Sequence, residues 1–199
     1  MTNFGNAAMK DIRFLAKRTA QCGFSILVVA AVSTSGCATS RGYTMSSDPR
    51  CGMRFVDCHP FGKDGPVVSL SFGGPVKLQR VEGIDFDVFY VNRPGEHGGL
   101  GIYFGSHPQR RSQNISQDAI QTVSRSVGTM GFEWHRWMQD RDFRSEAVVS
   151  GLFSASGDRR FQRTKVHLFI TAPTEKDCKA WEFEAESIQL KTAKPSSPR

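Results

Sequence analysis

From residue 67 to residue 170 the large apolar side chains recur mostly at every second position. A chain with that period folds as strands, because successive side chains of a strand point to opposite faces. Residues 67–72 alternate between the breakers Gly65-Pro66 and Gly73-Gly74, and residues 76–81 suit a second strand. Ile84, Phe86, Val88 and Tyr90 alternate with Asp85, Asp87 and Phe89, which predicts a half-buried strand with its acids facing solvent. The Gly- and Pro-rich stretch 92–99 then turns the chain into residues 100–104, giving a hairpin with a long loop. Residues 106–116 are polar and irregular, and 120–127 fit either a strand or a short helix. Residues 132–138 read as a strand that Asp140-Arg141-Asp142 turns into 143–153. Residues 165–170 read as a buried strand stopped by Pro173.

Near the C-terminus the period changes. Thr174 stands three residues before Asp177, the arrangement of a helix N-cap with an acidic third position. Cys178, Trp181, Ala185 and Ile188 follow at helical spacing, although Trp181, Phe183 and Ala185 also alternate with three glutamates as a strand would. We favour the helix. The expected fold is α+β: a mostly antiparallel sheet of about six to eight strands, as a curled sheet or open barrel, with one C-terminal helix.

Ahead of all this, Lys10, Arg13, Lys17 and Arg18 precede a short apolar run at 23–32. A membrane-spanning helix needs about 20 apolar residues, so the run suits the core of a secretory signal instead. Small residues lead from Ala30 to Ser35-Gly36-Cys37. With that cysteine the segment resembles a bacterial lipoprotein signal, with Thr34 standing where that family usually has Leu, Val or Ile. The resemblance implies that residues 1–36 are removed, whether translation starts at Met1 or at Met9, and that Cys37 is lipidated. Ala38, where an Asp would resemble an inner-membrane retention signal, implies the outer membrane and a domain facing the periplasm. The chain then divides into a flexible tether at 37–50, a single β-rich domain at 51–190 and a disordered tail at 191–199.

Charge excludes one class of partner. The net charge is +7, but four of the basic residues and only one acid, Asp11, lie in the leading segment. The short clusters Arg110-Arg111 and Arg159-Arg160 fall in loops, so nucleic acid is not expected. Expected partners are the membrane, through the lipid, and a protein in the envelope.

Chemistry-bearing patterns are sparse. Cys51, Cys58 and Cys178 are the disulfide candidates left for an oxidising compartment, as Cys51–Cys58 or as Cys178 with either. Cys58-His59 with Cys51 lacks the second ligand pair of a structural zinc site, so neither metal nor cofactor is expected. His97, His107, His135 and His167 are scattered, and the nucleophile-elbow spacing is missing. Gly98-Gly99-Leu100-Gly101 lacks the third glycine of a phosphate loop and reads as hairpin glycine. Asp85 and Asp87 would stand about 7 Å apart on one strand face, which a sugar-cleaving pair tolerates and a solvated strand explains equally. Trp134 and Trp137 are three apart and fall on opposite faces, one in the core and one a candidate for exposure; with Tyr103 they make a possible contact surface, and burial on both faces, one beneath the helix, explains them equally well.

The expected function is binding in the periplasm without catalysis, as an immunity or inhibitor protein or an accessory subunit of an envelope complex. Its rivals are an envelope hydrolase acting on peptidoglycan, sugar or lipid, and a carrier of a small apolar ligand.

Overall fold

A computed structural model describes residues 42–62, 65–153 and 159–191. The leading segment, Cys37 and residues 192–199 lie outside the described residues. Among the described residues the chain is mostly antiparallel sheet with one long helix near its C-terminus, as the alternation predicts. Strands β1 (Tyr43–Ser47), β2 (Arg54–Cys58), β3 (Val67–Phe72) and β11 (Gln189–Lys191) form a four-stranded sheet in that order. The larger sheet has seven strands. Its order is β4 (Lys77–Glu82), β5 (Phe86–Asn92), β6 (Gly99–Gly105), β10 (Lys165–Ala172), β9 (Asp142–Val149), β8 (Met130–Gln139) and β7 (Gln121–Val127). A one-turn helix α1 (Arg159–Gln162) precedes β10, and α2 (Glu175–Ala185) follows it.

Among the described residues the strands number eleven, in two sheets, where about six to eight in a curled sheet or open barrel were expected, and neither sheet closes into a barrel. Two of the additional strands come from segments too polar to show alternation. Residues 43–47, placed in the tether, pair along β2 through their main chain as an exposed edge strand. Lys191, placed in the tail, pairs with Val67, and its ammonium holds Asp57 at 2.8 Å.

The four-stranded sheet and α2 cover one face of the larger sheet. Val56, Val68, Leu70 and Phe72 from the small sheet meet Phe89, Ile102, Phe104 and Leu168 from the large one, with Trp181 and Ile188 completing a single core. Each such side chain contributes about 1.5–3 kcal/mol through removal from water. The N-cap is as read from the sequence: the Thr174 hydroxyl accepts from the Asp177 N–H at 3.1 Å, and Cys178, Trp181 and Ala185 are buried.

Strand β5 is inverted relative to the expectation. Its core row is Asp87, Phe89 and Val91, while Phe86, Val88 and Tyr90 lie on the outer face and Ile84 stands fully in solvent. The inversion is possible because Arg80 forks onto Asp87 at 2.9 and 3.0 Å, so the acid enters the core edge already paired. Burial still pushes the Asp87 carboxyl above its ordinary range, with Arg80 opposing.

Candidate functional site

Cross-strand register decides what shares the outer face of the large sheet. Tyr90, Gly101, Phe169, Glu146 and His135 lie opposite one another on β5, β6, β10, β9 and β8, in one row across the sheet. The parallel row holds Val88, Tyr103, His167 and Val148. Glycine is required in the first row: a Cβ on Gly101 would meet the Phe169 ring at 2.0 Å, so the ring lies across the strand where a side chain would stand. Gly101 is therefore a strand glycine beneath an aromatic ring and not a hairpin-loop glycine. Tyr90 meets Phe169 edge-on at 5.9 Å, and Tyr103 stacks on Phe86 at 5.7 Å.

The connection from β6 to β7, residues 106–120, runs across part of this face. Glu146 holds it there. Although only 2 % exposed, its carboxylate accepts from the Arg111 N–H at 2.9 Å, the Ser112 N–H at 3.0 Å, the Ser112 hydroxyl, and His167 Nε2 at 3.1 Å. Burial pushes this carboxyl up, but the bonds from His167, Ser112 and the two main-chain N–H groups outweigh burial and bring it down to about 2. The anchored loop lays the Arg111 guanidinium over Phe169 at 5.2 Å and brings Arg110 alongside. Between loop and sheet is an open cleft of about 540 Å³, lined by Phe86, Tyr90, Tyr103 and Phe169 among its aromatic and histidine walls, and by Arg110, Arg111 and Asp85 as its charges.

A serine, a histidine and an acid do come together here. Ser112 Oγ lies 3.4 Å from His135 Nδ1, and His135 Nε2 lies 3.0 Å from Glu133. Ser112 is buried, however, and its hydroxyl already donates to Glu146. A nucleophile must reach its substrate and give its proton to the base. This serine does neither, and its bonds fasten the loop.

The structure scatters the remaining sequence candidates. Trp134 is fully buried on the core face, where its indole N–H donates to Glu186 at 2.8 Å; Trp137 is only 5 % exposed. Both tryptophans are therefore buried, the alternative to an exposed contact residue. Of the proposed contact surface, Tyr103 alone lines the main cleft, while Trp137 borders a separate hollow of about 240 Å³ with Arg136, Arg144 and Cys178. Asp85 and Asp87 do not form a pair: Asp87 turns inward to Arg80, and Asp85 precedes β5 at the cleft. His97 and His107 sit beyond opposite ends of β6, whereas His135 and His167 converge on Glu146 and its loop.

The three described cysteines are all unpaired, contrary to the disulfide expectation. Cys58 faces the core from β2, Cys178 is buried on the inner face of α2, and Cys51 lies in an exposed turn. Burial raises the thiol of Cys58 strongly and that of Cys178 to about 12, so both are held as inert thiols. Among the described residues no group of three His, Cys, Asp or Glu side chains could hold a metal ion, and no helix is long and apolar enough to cross a membrane.

Sequence reasoning missed Glu146 and the inward glutamates of α2. Glu182 is fully buried, bound by Arg136 and by the Ser145 hydroxyl at 2.7 Å. A lone acid directly before the apolar run 147–149 was the available signal for Glu146, since an acid there needs partners. Comparison with family models, curated proteins and solved structures finds no match to this chain.

Proposed function

We propose that this chain is an exported, lipid-anchored envelope protein that works by binding, and that it holds its partner on the outer face of the seven-stranded sheet. One observation carries the binding half of that reading: the open cleft of about 540 Å³ between the 106–120 connection and an aromatic sheet surface. Its volume lies within the roughly 300–1,000 Å³ range of small-ligand sites. Its walls are fixed in advance by Glu146, so little ordering remains to oppose binding. The location half rests on the residues from Lys10 to Cys37, with the domain facing the periplasm from the outer membrane.

The binding half is tested by photo-crosslinking in cells that make the protein. A benzoylphenylalanine replaces Phe86, at the cleft, or Phe183, 74 % exposed on the solvent side of α2. Adducts are expected at position 86 and not at 183. Equal adducts at both positions, or none at 86, contradict the reading. The location half is tested by acyl labelling, which Cys37→Ser should abolish while releasing the chain from the membrane fraction. A full-length product in the cytosol, with residues 1–36 still attached, refutes it.

A further inference from the structure

The cleft holds two arginines with no carboxylate partner among the described residues. Arg110 is half-buried beside the cleft, and the Arg111 guanidinium rests on an aromatic ring. Elsewhere among the described residues arginines pair with buried or half-buried carboxylates: Arg80 with Asp87, Arg93 with Glu184, Arg125 with Glu186 and Arg136 with Glu182. Neither guanidinium is ion-paired among the described residues: Asp85 is the one carboxylate lining this cleft, while Glu146 and Glu133, in the adjoining hollow that Arg110 also lines, are bonded to His167 and His135. Two unpaired guanidinium groups thus stand beside low-dielectric aromatic walls, where an anion is attracted to them more strongly than in open water. Its other property is an aromatic lining: Phe86, Tyr90, Tyr103 and Phe169 border it, with Tyr103 stacked on Phe86.

Building on the binding reading, we propose that the occupant of this cleft is a small molecule that combines a flat ring with an anionic group, either carboxylate or phosphate. The ring packs against Tyr103 and Phe169, and the anion takes Arg110 and Arg111. The fork of a guanidinium suits both oxyanions, and the aromatic floor supplies the shape selection.

Equilibrium dialysis of the full-length protein in detergent, blanked against protein-free micelles, tests this with defined probes. The probes are 2-naphthoate, 2-naphthyl phosphate, the uncharged 2-naphthol and inorganic phosphate. Saturable binding of at least one naphthyl anion is expected, at least about tenfold tighter than naphthol or inorganic phosphate. Which naphthyl anion binds tighter identifies the oxyanion. The double variant Arg110→Ser/Arg111→Ser should weaken the anion about tenfold or more, leave naphthol unchanged and keep the urea midpoint of the parent. Naphthol binding as tightly as the anions, inorganic phosphate matching naphthyl phosphate, undiminished anion binding by the double variant, or no saturable anion binding each overturns the proposal. Adducts at position 86 together with failure of the naphthyl anions would overturn this ligand class and leave the binding reading standing; loss of both would remove both.

Discussion

Replacing Glu146 by Gln should loosen the 106–120 connection from the sheet and lower stability by about 3 kcal/mol at neutral pH. Two routes give that size. In the first, one carboxylate oxygen serves the Ser112 N–H and hydroxyl, and the other serves the Arg111 N–H and His167. An amide puts a second donor against one of these pairs, leaving a buried N–H unsatisfied at a cost of about 1–3 kcal/mol, and it weakens the bonds that had a charged acceptor. In the second, a carboxyl drawn from 4.5 down to about 2 on folding contributes about 1.4 kcal/mol per pH unit of that difference, again about 3 kcal/mol. The native value lies below the unfolded one, so the stabilisation is complete above about pH 4.5 and disappears as pH falls through about 2. Urea denaturation of parent and variant between pH 7 and pH 2.5 measures the gap. It should be about 3 kcal/mol at pH 7 and shrink by roughly half or more by pH 3. Amide exchange should accelerate at Arg111 and Ser112. A gap under about 1 kcal/mol at pH 7, or one that stays constant to pH 3, refutes the reasoning.

Three further outcomes follow from particular residues. Gly101→Ala should destabilise by about 1–3 kcal/mol, because the new methyl would occupy the Phe169 ring position; restoration of the loss by a second change, Phe169→Ala, confirms that the clash is the cause. Arg141→Gly should stabilise by about 0.5–1 kcal/mol in urea melts, since Asp140 and Arg141 turn the β8–β9 hairpin with φ of 54° and 71°, a conformation glycine adopts without strain. Alkylation followed by peptide mass mapping should label Cys51 in the native protein and spare Cys58 and Cys178 until denaturant is added.

The strands of the central region were legible because their alternation and their Gly and Pro punctuation agree, and α2 was legible from Thr174 and its apolar spacing. What escaped was the result of pairing between distant residues. Alternation alone leaves the choice of inner face open: β5 turned Asp87 inward because Arg80, on the neighbouring strand, reaches it. The same holds for Glu182 and Glu186, which Arg136, Arg125 and Trp134 pair with inside the domain. Edge strand β1 is nearly all polar and is held by main-chain bonds, so hydropathy carries no trace of it. At the candidate site, Tyr103 was recognisable as an aromatic on a strand. Glu146, Phe169 and Gly101 acquire meaning only once β9, β10 and β6 lie side by side.

The most direct test is the position of a bound probe in a crystal of the protein grown with 2-naphthoate. The naphthyl ring should lie over Tyr103 and Phe169 with its carboxylate against Arg110 or Arg111. Density instead in the hollow beside Trp137, or in the groove beside Met130 and Leu190, would show that the outer sheet face is not where this protein binds.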